Sequence, residues 1–235
     1  VVYLTNREDD RKAIEANMNS YYSAFTPATS GFVASWYDQS GNGNTATQSS
    51  AAAQPKIVDS GSLITINSKP SIQSSGAETL TFTTTTTSGF TSKSVFAASN
   101  FEMTGTDTRH LYSDNFSTSN ESQIITGGTS DNRVSFSNQS SATNYNSDYI
   151  VMVQDELSLI TGIFDGSTSE AYLNGTLGTG TAYKGTANTT GAYLFSRTGS
   201  ANFWIGKHCE IIIFTTDESS NQSGIENNIT SHYSI

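Results

Sequence analysis

Hydrophobic residues along this chain occur in short runs that are separated by clusters of glycine, asparagine, serine and aspartate. Short apolar runs bounded by turn-forming residues are typical of β-strands, and many of them at close spacing favour a two-sheet sandwich. We therefore predict an all-β, antiparallel jelly-roll sandwich. The candidate strands are 32–36, 56–58, 63–66, 71–73, 80–82, 94–98, 109–112, 123–125, 133–136, 150–153, 158–164, 170–173, 192–195 and 207–214.

The clearest hairpin signal is Asn174-Gly175, which directly follows the apolar stretch that ends at Leu173. A type I′ turn requires positive φ at both central residues, and asparagine followed by glycine meets that requirement best. This dipeptide therefore predicts a tight hairpin.

The two ends of the chain carry a similar strand–helix pattern. Residues 1–23 align with residues 212–234 without a gap, at a constant shift of 211, and seven of the 23 positions are identical. The second copy predicts a helix from about Ser220 to Tyr233, with Ile225 and Ile229 facing inward. A unit that both opens and closes a chain is typical of a tandem array, and the alternative is chance similarity between two ordinary ends.

This repeat sets the predicted domain organisation. Residues 1–23 are expected to be the closing strand and helix of a preceding homologous repeat. Residues 24–31 contain Pro27 and Gly31 and are interpreted as a linker. Residues 32–235 are predicted to form the jelly-roll domain, closed by the C-terminal helix.

Composition narrows the possible partners. The 12 Phe, 11 Tyr and 2 Trp residues can fill a core, so the serine- and threonine-rich chain is not interpreted as disordered. A formal charge of −10 and only 11 Lys and Arg residues argue against nucleic acid as a partner. We also expect no membrane span, since no apolar stretch is long enough. The single cysteine, Cys209, cannot form an internal disulfide.

The most specific string in the chain is WYDQSGNGN, which begins at Trp36 and is followed by Ala46, Gln48, Gln54 and Pro55. Its glycines permit positive φ, and its aspartate, serine and asparagine side chains can bond nearby amides, so a structural turn is the first interpretation. The alternative is calcium, because Asp38, Ser40, Asn42 and Asn44 imitate the first half of an EF-hand loop. The acidic residue of that loop's twelfth position is missing here, where Ser49 stands.

The same string resembles the signature of concanavalin A-like, laminin-G-like jelly-roll domains. Weaker matches are Lys69-Pro70, the run from Ser94 to Ala97, the run from Ala171 to Gly175, and Gly206 with the strand after it. Such domains form the catalytic module of α-L-arabinofuranosidase B and occur in bacterial surface and phage structural proteins. The resemblance covers about residues 32–235.

The resemblance permits a test of glycosidase chemistry, which needs two carboxylates. The family's nucleophile is a glutamate in a cysteine-rich string. The similar segment here runs from Leu111 to Glu121, lacks the cysteines and holds two extra residues between Asp114 and Glu121. The family's acid is an aspartate before a segment that resembles Gly199–Gly206, and residues 194–197 here contain no carboxylate. We therefore predict that the chain has no catalytic residues.

Other enzyme classes have no better support. His208 and Cys209 are neighbours on a predicted strand, so their side chains should point to opposite faces and cannot form a dyad. Cys209 is predicted to be a core residue, and no cluster has zinc-ligand spacing.

Sugar binding usually requires an exposed aromatic ring with a few polar groups. The candidate glycan-binding residues are Trp204, Arg197, Tyr112 and Asp114, which we expect near loops; Trp36 is expected in the core. For Trp204, a place in the core is an equally open alternative.

The hypothesis is therefore a non-catalytic module of a virion or cell-surface protein, located outside the cell or on the virion surface. It would serve adhesion or assembly through neighbouring homologous domains or copies, and would bind a surface or environmental glycan. An arabinofuranosidase-like hydrolase and a purely structural spacer are the alternatives. No cofactor is expected other than the calcium alternative.

Overall fold

The computed structural model describes residues 29–83, 92–102, 108–114, 121–126, 133–139, 148–164, 169–178 and 192–235. The predicted N-terminal strand and helix, residues 1–23, lie outside the described residues, as does the loop between Asp114 and Glu121.

The described part is an antiparallel β-sandwich with one C-terminal helix, α1, at Gln222–Tyr233. The strands are β1 Gly31–Phe32, β2 Ser35–Trp36, β3 Ala46–Thr47, β4 Lys56–Asp59, β5 Ser62–Leu63, β6 Thr65–Ile66, β7 Lys69–Pro70, β8 Ile72–Ser75, β9 Leu80–Phe82, β10 Lys93–Ser99, β11 Arg109–Asp114, β12 Glu121–Thr126, β13 Arg133–Gln139, β14 Asp148–Val151, β15 Ser158–Phe164, β16 Ser169–Leu173, β17 Thr176–Leu177, β18 Ala192–Leu194 and β19 Ile205–Phe214. A short 3₁₀ turn lies at Ala51–Ala53. The all-β, jelly-roll-like prediction is confirmed.

Two large sheets face each other. The front sheet has eight strands in the order β14-β13-β12-β11-β18-β9-β3-β2. The back sheet has nine, in the order β1-β4-β8-β19-β10-β15-β16-β17, with β5 paired to β4. A separate hairpin joins β6 and β7. The turn at Asn174-Gly175 has φ of 50° and 77° and connects β16 to β17, as the sequence predicts.

The centre of the back sheet is buried on both faces. Along β10, Val95 and Ala97 point into the core between the sheets, whereas Phe96 and Ala98 point to the outside, where α1 covers them. Every residue of β10 and of its neighbour β15 is therefore buried. Burial on both faces accounts for the apolar residues at successive positions of these strands, as from Val95 to Ala98.

Helix α1 packs on the back sheet through Ile229 and Tyr233, with Ile225 partly buried beside them. The β6–β7 turn holds the end of the helix, because Asn67 Nδ2 donates hydrogen bonds to the carbonyl oxygens of Tyr233 and Ser234, at 3.0 and 3.1 Å. The back sheet thus lies between two apolar layers, which leaves the outer face of the front sheet for other contacts.

No helix in the described part of the chain is long and apolar enough to cross a membrane.

Candidate functional site

The outer face of the front sheet carries a row of polar side chains. Residues paired directly across an antiparallel ladder point to the same face of the sheet. The row crosses six neighbouring strands and consists of Ser35, Thr47, Thr81, Tyr193, Ser113 and Gln123. The next row points into the core and contains Leu80, Leu194, Tyr112 and Ile124. The outer row is therefore a polar layer above an apolar one, and its exposed or partly exposed members are Ser35, Thr47, Thr81 and Tyr193.

One end of this row opens into a groove of about 530 Å³. Its lining consists of small or neutral polar residues: Ala34, Ser35, Thr47, Gln48, Ser49, Thr79, Thr81 and Gly199. Among the described residues, no charged side chain lines it. Its volume falls within the range of small-molecule sites. The groove therefore offers hydroxyl and amide groups without a net charge.

The groove wall is built by the residues that follow the WYDQSGNGN string. Gln54 Nε2 donates to the carbonyl oxygen of Gln48 at 2.8 Å. Gln48 in turn accepts from the Ser50 amide at 2.9 Å and donates to the Thr79 carbonyl oxygen at 3.3 Å. These bonds tie β3, the 3₁₀ turn and the start of β9 together, which fixes the shape of the groove.

The opposite wall is the loop between β18 and β19. Gly199 lies there with φ of 75°, and a Cβ at this position would come within 3.0 Å of Tyr193 Cε1. Ser196 Oγ accepts from the Gly199 amide at 3.0 Å and lies 2.6 Å from Thr79 Oγ1. Tyr193 is half-buried, so the loop holds its ring at the edge of the groove.

Toward β11 and β12 the outer row becomes buried. Ser113 and Gln123 are 0% and 1% exposed. His110 lies on the same face and is also buried; burial first, and then the Arg197 guanidinium, lowers the pKa of His110 to about 3. Among the described residues, Gln123 Nε2 and His110 Nδ1 have no hydrogen-bond partner.

Three of the four candidate glycan-binding residues are buried: for Tyr112 and Asp114 this corrects the expected place near a loop, and for Trp204 it is the core alternative that the sequence left open. Trp204 is 0% exposed, its Nε1 donates to the Asn100 carbonyl oxygen at 2.9 Å, and its ring lies 4.9 Å from that of Phe101. Tyr112 and Asp114 are buried between the sheets. None of these three side chains presents a surface to a ligand, because each points into the sandwich.

Arg197 is the one candidate of the four that stays partly exposed. It lies on the β18–β19 loop, two residues before the groove-lining Gly199. The structure therefore keeps Arg197 near the groove and separates it from Trp204, Tyr112 and Asp114.

The Asp38 loop is a turn held by its own side chains. Asp38 Oδ1 accepts from the Ser40 amide and Oδ2 from the Asn44 amide, both at 2.8 Å. Ser40 Oγ accepts from the Asn42 amide at 3.2 Å. The bonds from Ser40 and Asn44 lower the pKa of Asp38. Both carboxylate oxygens therefore already have partners, and these bonds account for the fold of the loop without calcium.

His208 and Cys209 lie on opposite faces of β19, as predicted. His208 is buried between Ser74 Oγ, 2.9 Å from Nε2, and Ser99 Oγ, 2.7 Å from Nδ1. Its ring stacks on Phe195 at 3.8 Å. Cys209 is half-buried under α1, and burial raises the pKa of its thiol to about 11. Neither residue is placed for nucleophilic chemistry.

A second depression, of about 670 Å³, lies on the outer side of α1. Lys69, Gly224, Asn227, Asn228, Ser231 and His232 line it. No group of three or more His, Cys, Asp or Glu residues in the described ranges is placed to hold a metal ion.

Sequence reasoning missed Tyr193, Thr81, Thr47 and Ser35. The alternation around Ala192–Leu194 was visible, since Tyr193 stands between two inward-facing apolar residues. What the sequence does not show is the register that brings this tyrosine beside Thr81 and Thr47, because those residues come from distant segments.

No protein-family model and no curated protein matches the chain. Solved structures do resemble it. An arabinofuranosidase in complex with arabinofuranosyl-α-1,2-xylobiose has a TM-score of 0.67 at 13% identity, over 92% of this chain and 53% of that one. A Trypanosoma rangeli sialidase in complex with sialic acid has a TM-score of 0.58 at 8% identity, over 87% of this chain and 32% of that one.

The ligand-binding domain of botulinum neurotoxin serotype D, in complex with N-acetylneuraminic acid, has a TM-score of 0.53 at 9% identity. It is matched over 86% of this chain and 50% of its own length. At such low identities these likenesses show the shared β-sandwich fold, and this chain spans only about half of the arabinofuranosidase.

Proposed function

We propose that this chain is a non-catalytic glycan-binding module, and that the groove on the front sheet takes neutral sugar units. The observation that carries the proposal is the outer polar row, which ends in a groove of about 530 Å³ beside the half-buried ring of Tyr193. Three structural neighbours were solved with sugars bound, which supports a sugar as the ligand, whereas the preference for neutral units is argued from the groove lining. We also infer that the chain is a divergent concanavalin A-like jelly roll.

The chemistry of the groove suits a sugar. Serine, threonine and glutamine side chains can both donate and accept hydrogen bonds, as sugar hydroxyls do. An aromatic ring beside them offers an apolar face for the C–H groups of a pyranose or furanose. The lining is uncharged and the chain has a formal charge of −10, so long-range repulsion would disfavour a polyanionic glycan.

The proposal of a module without catalysis rests on the carboxylates. Asp114 is buried and paired with Lys93 inside the sandwich, so it cannot reach a substrate in the groove. The sequence from 194 to 206 holds no acidic residue, and none of the described groove-lining residues is acidic. A retaining glycosidase needs two carboxylates across the scissile bond. The virion or cell-surface setting stays a prediction from the sequence.

The binding proposal is tested on a glycan array with the full chain, followed by calorimetric titration of the best neutral ligand. We expect Tyr193→Ala to weaken binding by about two- to tenfold, since aromatic contacts contribute roughly 0.5–1.5 kcal/mol. Tyr37→Ala is the matched control, because Tyr37 is 71% exposed and outside the groove. Equal affinities for the two variants would contradict the proposed site, and an array without any binding would favour a spacer.

The hydrolase alternative has a separate test. The full chain is incubated with aryl α-L-arabinofuranosides, and the product is compared with that from Glu121→Gln. We expect no turnover above background for either protein. Robust turnover that Glu121→Gln abolishes would overturn the non-catalytic assignment while leaving glycan recognition intact.

A further inference from the structure

The interior of the sandwich contains an oppositely charged pair that joins the two sheets. Lys93 is the first residue of β10 in the back sheet, and Asp114 is the last residue of β11 in the front sheet. The Lys93 ammonium contacts Asp114 Oδ2 in an ion pair. The two residues are 1% and 0% exposed. Their side chains therefore meet across the layer that otherwise holds the apolar core.

The surroundings of this pair are apolar. Phe164 is the ladder partner of Lys93 on β15, and Ala192 and Phe82 lie beside Asp114 on β18 and β9. The Tyr112 ring lies 5.3 Å from Lys93 Nζ, and its hydroxyl donates to Asp114 Oδ2 at 3.0 Å. Removing two charges from water into such a site is costly unless all their hydrogen bonds are satisfied.

As an ammonium ion, Lys93 has fewer hydrogen-bond acceptors among the described residues than it has donors. It has three N–H donors, and among the described residues the Asp114 carboxylate is the one acceptor that it contacts. Burial lowers the pKa of Lys93, while the carboxylate opposes this by favouring the charged form. A proton moved from the ammonium to the carboxylate leaves a neutral amine against a neutral acid. These are the reactants for an amide bond.

We propose that Lys93 and Asp114 form an intramolecular isopeptide bond that links the two sheets covalently. The amide would replace two buried charges by one N–H and one carbonyl group, which removes the desolvation cost of the ion pair. It would connect β10 to β11 and so close the segment between them into a loop. This inference is independent of the proposed glycan site.

The reaction needs no external reagent. The neutral Nζ attacks Asp114 Cγ, and a C–N bond forms as the carboxyl carbon becomes tetrahedral. One proton passes from the nitrogen to the departing hydroxyl group, the C–O bond breaks, and one water leaves. The Tyr112 hydroxyl is placed to donate to the carboxyl oxygen that gains negative charge in the tetrahedral state.

Intact-mass measurement of the full, denatured chain tests the bond directly. We expect a mass lower than the sequence mass by one water molecule. Trypsin should fail to cleave after Lys93 and should release a branched species that joins peptides 57–109 and 110–133. Cleavage after Lys56 is the internal control, since Lys56 also contacts an aspartate, Asp59 at 3.0 Å, but lies on the surface.

Four variants separate this bond from other dehydrations and test its mechanism. Lys93→Arg and Asp114→Ala should show their full sequence masses. Asp114→Asn should lose one ammonia molecule instead of water and give the same branched species, because an amide can replace the acid as the acyl donor. Tyr112→Phe should slow the mass loss after cell-free synthesis by about tenfold or more.

Folded wild-type protein with its full sequence mass would overturn the proposal, whatever the behaviour of the variants. A water loss that persists in Asp114→Ala, or a branched species that lacks peptide 110–133, would also overturn it, because the bond would then involve other residues.

Discussion

At the scale of single residues, the buried polar groups set how this protein responds to acid. His208 lies between Ser74 and Ser99 with no exposure to solvent that could hydrate a charge. Ser74 Oγ donates to the Trp204 carbonyl oxygen at 2.8 Å, so it must accept from His208 Nε2. The geometry therefore assigns the neutral Nε2–H tautomer, with Ser99 donating to Nδ1.

This arrangement predicts acid lability. Burial lowers the pKa of His208 from 6.5 to about 3, and that of His110, helped by Arg197, to about 3 as well. Between pH 6.5 and about pH 3 the unfolded chain binds more protons than the folded one. The contribution of the two buried histidines to the free energy of unfolding is therefore complete above pH 6.5 and is lost as the pH falls. Each histidine adds a slope of up to about 1.4 kcal/mol per pH unit in that window. Urea denaturation at about pH 7 and about pH 5 measures the slope.

A change in stability between about pH 7 and about pH 5 is due mainly to the histidines, because the carboxylates titrate at lower pH. His232 is exposed on α1, and His232→Gln therefore serves as the control that should retain the wild-type slope. A free energy of unfolding that stays constant from about pH 7 to about pH 5 would contradict the neutral, buried state of both histidines.

Trp204 marks a point that the sequence left open, because an exposed ring and a place in the core were equal alternatives. Its neighbours Asn202 and Phe203 follow a glycine- and serine-containing loop, so an exposed ring was one expectation. In the fold, the chain passes at this point from the front sheet to the back sheet, and the ring fills the layer between them. Trp36, predicted in the core, is packed against the same cluster, as expected.

Trp204→Ala should therefore act on stability rather than on a surface contact. Truncation of a buried aromatic residue leaves a cavity and costs about 3–5 kcal/mol of unfolding free energy. Here it also leaves the Asn100 carbonyl oxygen without the indole donor. Chemical denaturation measures this loss. Tyr37→Ala, at an exposed aromatic, should change stability by less than about 0.5 kcal/mol; a similarly small effect of Trp204→Ala would refute the buried placement.

At the scale of elements, two glycines offer a matched pair of substitutions with opposite signs. Gly175 has φ of 77° in the β16–β17 turn, where alanine is strained. Gly224 lies within α1, and a Cβ there would meet nothing within 4 Å. We expect Gly175→Ala to destabilise the protein by about 1 kcal/mol and Gly224→Ala to stabilise it by about 0.5–1 kcal/mol. Thermal and urea denaturation check both, and equal shifts of one sign would contradict the turn or the helix.

Elements with a strong local pattern were predictable, and short ones were not. The strands β10 and β15 and the helix α1 were found because their apolar runs are long or periodic. The strands β3, β7 and β17 each have two residues and carry no pattern of their own. Their pairing depends on neighbours elsewhere in the chain, which a single sequence does not display.

At the scale of the whole molecule, the sequence predicted two layers but not which face would be left for a ligand. Helix α1 decides which face this is, because it covers the outer face of the back sheet and does not cover the outer row of the front sheet. The register across β18, β9 and β3 then brings Tyr193, Thr81 and Thr47 together. Because these residues are far apart in sequence, the site emerges only from the assembled sheet.

The central claim is that the front-sheet groove binds a glycan, and NMR mapping of the bound ligand tests it most directly. The best neutral ligand from an array is titrated into isotope-labelled protein, and amide shifts are followed by residue. Binding in the groove should concentrate the perturbations on Thr47, Gln48, Thr81, Tyr193 and Gly199. Perturbations confined to the α1 depression, at Lys69, Asn227 and Asn228, would contradict it.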